Sequence, residues 1–130
     1  MFRLDEKNHS AIYVQVMDNI KEMIVTNVWS ENQKIPSVRE LSEQLMLNPN
    51  TVQKAYRELE REGYIYTVSG KGSFVGGRSG IRRDPAMVDE QKDKVREAFR
   101  ALLLLGYSAD EAADIIKGAM IEAAAGLKSR

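Results

Sequence analysis

Near the start of the chain, apolar residues recur every three or four positions: Ile12, Tyr13, Val16, Met17, Ile20, Met23, Ile24 and Val28. At about 100° per residue they share one broad face, which predicts a long amphipathic helix from Ala11 to Val28 with its apolar side against a core. A polar stretch, Ser30-Glu-Asn-Gln-Lys34, then leads to Ile35-Pro36. Beyond it the signals become dense. Ser37-Val-Arg-Glu40 has the spacing of a capping box, in which the Ser hydroxyl accepts from the Glu amide and the Glu side chain reaches back. Leu41 and Leu45 continue the apolar face of that helix.

A second helix start follows almost at once. Asn48 suits an N-cap and Pro49 the first helical position, where a missing N–H costs nothing. The pattern runs through Leu59 and stops at Gly63, a suitable C′ glycine. Helices this close in sequence have the spacing of a helix-turn-helix. Tyr64-Ile-Tyr-Thr-Val68 and Ser73-Phe-Val75 then read as short strands around Ser69-Gly-Lys-Gly72, a hairpin signal. Helix, helix and hairpin together describe a winged helix.

Gly76-Gly-Arg-Ser-Gly80 reads as a flexible junction, continued by Arg82-Arg-Asp-Pro85. Two helices are expected after it. The first runs from about Met87 to Leu105, buries Val95, Ala98, Phe99, Leu102 and Leu103, and ends at Gly106. Ser108-Ala-Asp-Glu111 is another capping box and opens a helix with Ile115, Ile116, Ala119, Met120 and Ala123 on its apolar side. Two such helices enclose too little interior to stand alone. They pack on the winged helix, on a partner chain or on both; a dimer interface built on Phe99, Leu102, Leu103, Ile116, Ala119 and Met120 is expected, with the alanines permitting close approach and purely intramolecular packing as the alternative. The expected fold is mainly α with a small β-wing: a winged helix-turn-helix over 1–78, a linker over 79–86 and a two-helix dimerisation tail over 87–130.

Composition narrows the chemistry. The 130 residues include no cysteine, so disulfides and thiolate metal sites are excluded. One histidine, His9, leaves little for imidazole chemistry and is read as solvated. The opening Met1-Phe-Arg-Leu-Asp-Glu-Lys7 lacks the apolar stretch of a signal peptide, and no apolar run nears a membrane span. The expected location is the cytoplasm, with no cofactor. Gly70-Lys-Gly72 lacks the spacing of a phosphate-cradling loop, which argues against an enzyme.

Charge raises an objection to nucleic-acid binding and then answers it. Nineteen basic residues balance nineteen acidic ones, so no global field draws the protein to phosphate. Placement on the second helix of the pair supplies what the total does not. With Asn50 at zero, Lys54, Arg57 and Arg61 fall within roughly 40° and Gln53 about 60° to one side. Val52, Ala55, Tyr56 and Leu59 gather opposite, and Glu58, Glu60 and Glu62 lie on the flanks. A ridge of amides and cations is what a major-groove reader needs.

Ile35-Pro-Ser-Val-Arg-Glu-Leu-Ser-Glu-Gln-Leu45, Asn48-Pro-Asn-Thr-Val52, Ala55-Tyr-Arg-Glu-Leu-Glu60, Gly63 and Gly70-Lys-Gly-Ser-Phe-Val75 together resemble the GntR family of bacterial transcription regulators. The resemblance implies that Arg39 contacts an operator, as do Asn48, Asn50, Thr51 and Gln53 at the start of the recognition helix. It places Ser69, Gly70 and Lys71 at a wing tip near the minor groove. Lys54 and Arg57 join them from the helical-face argument alone. Two positions depart from the family pattern. Met46 stands where a turn glycine is common, and a left-handed residue there would cost about 1 kcal/mol, so a differently built turn is expected. Pro49 replaces a frequently basic residue and offers no side-chain contact of its own.

The short tail resembles that of the YtrA subfamily, whose members dimerise through it and commonly control transporter genes. The expectation is a homodimeric repressor on an inverted repeat of double-stranded DNA, with half-sites about one helical turn apart or a multiple of it. The alternative is a winged helix used only for protein–protein assembly, which net neutrality favours. A small-molecule effector would find Trp29 or Tyr107 as walls of a pocket between tail and DNA-binding unit, though no ligand is named by these residues.

Overall fold

A computed structural model of the chain describes residues 2–5 and 11–128. His9 lies outside the described residues. The chain divides into two compact units, meeting between Arg82 and Arg83. The first carries α1 (Ile12–Val25), α2 (Val38–Leu45), α3 (Pro49–Arg61), β1 (Ile65–Val68) and β2 (Gly72–Val75). The second carries α4 (Pro85–Leu104) and α5 (Ala109–Lys128).

In the first unit α1, α2 and β1 all pack on α3. Val16, Ile20, Leu41, Val52, Leu59 and Val75 are fully buried, one or more from each of α1, α2, α3 and β2. Tyr56 is buried with them, and its hydroxyl donates to the Pro36 carbonyl at 2.6 Å. Burial first, and the Glu40 carboxylate second, push that hydroxyl's pKa up, so it stays a donor.

The caps form as the sequence predicts. Ser37 Oγ accepts from the Glu40 amide at 3.0 Å while Glu40 Oε1 accepts from the Ser37 amide at 3.0 Å. Those two bonds to Ser37 hold the Glu40 pKa below its ordinary value. Asn48 caps α3 with Pro49 at its first position, and α3 closes in a Schellman turn at Gly63, φ +87°. There the Tyr64 amide donates to the Leu59 carbonyl and the Gly63 amide to that of Glu60.

Three local features differ from expectation. Helix α1 ends at Val25, three residues before Val28, because Asn27 turns left-handed at φ +65° and the Trp29 amide bonds the Met23 carbonyl. Val28 is left 43% exposed. Contrary to expectation, the turn between α2 and α3 is not rebuilt to avoid the missing glycine but keeps a left-handed residue: Met46 itself adopts φ 56° and ψ 43°. Its side chain is 91% exposed, so the strain is local and displaces nothing in the core. Met46→Gly is expected to remove that strain at some cost in chain entropy, leaving stability unchanged or raised by up to about 1 kcal/mol. A lower urea midpoint for the variant would contradict this.

The third difference is an isolated bridge between Lys34 and Phe74 beside the hairpin. Residues 32–35, polar but for the buried Ile35, lie beside β2: the Asn32 amide donates to the Val75 carbonyl, the Val75 amide to that of Gln33 and the Ile35 amide to that of Ser73. The stretch lacks apolar alternation, so nothing in its pattern announces a strand. The wing is thereby fixed to the start of α2. Residues 2–5 are held in a comparable way by two side-chain amides of α1. Gln15 exchanges hydrogen bonds with the backbone of Asp5 (2.7 and 3.0 Å), and Asn19 does the same with Arg3 (2.8 and 3.1 Å). The four-residue rise from Gln15 to Asn19, about 6 Å, nearly matches the i,i+2 repeat of extended chain, so two amides serve two peptide units.

The junction is partly tied down. A 3-10 turn over Arg78–Gly80 is followed by the Arg82 amide donating to the Glu62 carbonyl at 2.8 Å. Helix α4 then starts at Pro85, inside the stretch expected as linker, with Asp84 as N-cap accepting from the Ala86 amide. Asp84-Pro85 repeats the Asn48-Pro49 device. Gly106, φ +97°, and the Ser108–Glu111 capping box join α4 to α5. Among the described residues of this unit only Ala112 is fully buried. Contrary to the expected burial, Val95, Ala98 and Leu103 are exposed and Phe99 and Leu102 half-buried, since two helices cannot cover each other's apolar sides.

Candidate nucleic-acid interface

Helix α3 turns Val52, Ala55, Tyr56 and Leu59 inward and leaves Asn48, Pro49, Asn50, Gln53, Lys54, Arg57 and Arg61 exposed at or along its other side. The predicted ridge is present, with one residue set further back: Thr51 is half-buried. Asn48 Oδ1 accepts from the Asn50 amide at 2.8 Å, so the cap occupies its oxygen and leaves the side-chain NH2 as a donor.

Counter-charges trim the ridge. Arg61 donates twice to Glu58, at 2.6 and 2.9 Å, which also raises the Arg61 pKa. Lys54 lies over the Tyr13 ring, its Nζ 4.1 Å from the centroid. Gln53 and Arg57 complete the exposed ridge. The i,i+3 spacing of Glu58 and Arg61 is a sequence signal for their pairing, whereas the Tyr13–Lys54 contact joins two helices and has none.

Arg39 sits one residue inside α2 and is exposed, with its Nε 3.4 Å from Glu43 Oε1. The pair is open to solvent, with side chains 89% and 71% accessible, so it is readily exchanged for another anion. Arg39, Val38, Ser42, Glu43, Leu47 and Pro49 line one open cleft of about 540 Å3, which brings Arg39 beside the N-terminus of α3.

The wing tip is Ser69, Gly70 and Lys71, all exposed. Gly70 adopts φ +75° and the Lys71 amide donates to the Val68 carbonyl, closing the turn. Register pairs Tyr66 with Phe74, whose rings stack at 5.6 Å and stiffen the hairpin. Trp29 packs against Phe2 with ring centroids 6.5 Å apart, and Tyr107 is 44% exposed.

Of the residues assigned to the tail's apolar seam, Phe99, Leu102 and Ile116 are half-buried, while Leu103, Ala119 and Met120 are exposed. Leu104, Leu105 and Ile121 add further exposed apolar surface, at 75%, 74% and 63%. Among the described residues no cluster of acidic or histidine side chains could hold a metal ion, and no helix is long and apolar enough to cross a membrane.

Comparison with known proteins follows the same geometry. Residues 12–75 match the family described as bacterial regulatory proteins, gntR family. The chain is 34% identical over 104 residues to the HTH-type transcriptional repressor YtrA of Bacillus subtilis, covering 80% of this chain and 77% of that protein. A crystal structure of a transcriptional antiterminator from Listeria monocytogenes EGD-e aligns with a TM-score of 0.69 at 37% identity, over 92% of this chain and 90% of that one. The DNA-binding domain of AraR in complex with operator ORE1 aligns with a TM-score of 0.51 at 32% identity, over 58% of this chain and 93% of that one.

Proposed function

Because the chain belongs to the GntR family of bacterial regulatory proteins, we propose that it is a cytoplasmic, sequence-specific DNA-binding regulator, acting as a homodimeric repressor on an inverted repeat. The observation that carries this is the exposed amide-and-cation ridge of α3, with Arg39 at its N-terminal end. Asn50 and Gln53 offer amides suited to adenine edges, and Arg57 a guanidinium suited to guanine or phosphate. Arg39 and the Asn48 NH2 serve the groove margin at the start of α3. Ser69, Gly70 and Lys71 suit the adjacent minor groove, where a slender turn with one cation fits the narrow channel.

Fluorescence anisotropy against the duplex immediately upstream of the coding region, with a scrambled duplex as control, tests this directly. Tight binding that resists competitor and weakens with salt is expected. Arg39→Ala is expected to weaken it about 10- to 100-fold with the fold intact. If neither the upstream duplex nor any from a random-library selection outbinds the scrambled one, the domain is a protein-assembly module instead.

The counter-charges make a second prediction. Glu58→Ala releases Arg61 and removes a carboxylate beside the ridge, so affinity for duplex is expected to rise up to about threefold at low salt. The gain fades as salt rises. Lower affinity in a parallel titration would mean that the pair positions Arg61 for contact.

A further inference from the structure

Lys54 is held differently from the other cations of the ridge. A carboxylate that holds an arginine also neutralises it, as Glu58 does to Arg61 at 2.6 Å. The Tyr13 ring holds Lys54 at 4.1 Å without cancelling its charge, since the attraction is to a quadrupole. Tyr13 is half-buried and packed on the core, so the ring is a fixed platform. Lys54, Tyr13, Asn50, Thr51, Ala11 and Ile12 line one open cleft of about 350 Å3 where the starts of α1 and α3 meet. The side chain therefore leans from the ridge toward α1, away from Gln53 on the other flank.

We infer that Lys54 reads no base: Tyr13 holds its ammonium at the flank of α3, where it takes a phosphate of the DNA backbone. This rests on the DNA-binding role proposed above. A recognition helix lying in the major groove has the sugar–phosphate chain along its flanks and base edges beneath its ridge. An ammonium is a compact point charge without the planar fork that discriminates bases, which suits a phosphate. Tyr13 is then a positioning residue, acting through Lys54 from a helix that does not enter the groove. Ala11 is the N-cap of α1, so the positive end of that helix dipole lies at the same cleft.

The test uses the full chain, a duplex recovered by selection from a random library and a scrambled duplex, titrated across potassium chloride concentrations. Lys54→Gln is expected to weaken both duplexes by the same factor, leave the preferred sequence unchanged and lower the salt slope by about 0.9 per half-site. Tyr13→Leu is expected to weaken binding about threefold and to have no further effect in the Lys54→Gln background, while Tyr13→Phe keeps full affinity. A changed base preference with an unchanged slope in Lys54→Gln would overturn the inference. So would a Tyr13→Leu effect that adds to that of Lys54→Gln. If Tyr13→Leu loses its helical circular dichroism, the exposed Lys54→Gln decides the matter alone, an unchanged slope overturning it. Failure of the wild-type chain to prefer the selected duplex would instead sink the parent proposal.

Discussion

Met120→Asp is expected to separate the proposed dimer into monomers and to cost at least about 100-fold in affinity for a two-half-site duplex. Met120 is 60% exposed in the single chain, so a carboxylate there is solvated and the monomer's fold does not oppose it. In a dimer packed through the tail the same carboxylate enters an apolar seam without a partner, at a cost of several kcal/mol. DNA binding then suffers far from the substituted residue, because linked half-sites gain about 10²- to 10⁴-fold from effective concentration. Sedimentation equilibrium and anisotropy on the same samples check both halves. An intact dimer would remove Met120 from the seam. A monomer that binds the inverted repeat as tightly as wild type would remove dimerisation from the mechanism.

Gly63→Ala is expected to destabilise the winged unit by about 2–4 kcal/mol, lowering Tm by roughly 10 °C or more. Two causes combine. The residue sits at φ +87°, where any Cβ costs about 1–2 kcal/mol. A Cβ would also lie 1.9 Å from the Gly80 carbonyl oxygen, so the segment after the wing must leave its seat. Gly70→Ala separates the causes: φ is +75°, yet nothing lies within 4 Å of the added carbon. It should cost about 1 kcal/mol, and equal losses in the two variants would show that the clash with Gly80 contributes nothing.

What the sequence disclosed and what it hid follow from the range of the interactions involved. The capping boxes at Ser37 and Ser108, the Asn48-Pro49 start and the Gly63 stop are local, with cause and effect within about one helical turn, so spacing alone reveals them. The ridge of α3 is legible for the same reason, since one helix places all of it. Contacts between distant stretches are not. Tyr13 reaches Lys54, Gln15 reaches Asp5 and residues 32–35 pair with β2 only once the chain has folded. Met46 differs in another way: the rule that glycine is preferred at φ > 0 is energetic, and a solvated side chain at a tight turn tolerates the cost. The tail's buried side is overstated because periodicity marks which residues are apolar without marking whether a second surface is present to cover them.

The Arg82–Glu62 bond has a bearing on operator architecture. With Arg82 anchored and α4 beginning at Pro85, only Arg83 and Asp84 lie between the two anchored ends. The three Cα–Cα steps from Arg82 to Pro85 extend about 11 Å at most, roughly the rise of three base pairs. If two chains pair through their tails as proposed, the short tether limits how far the two heads can part, so inserting half a turn of DNA between half-sites is expected to abolish tight binding.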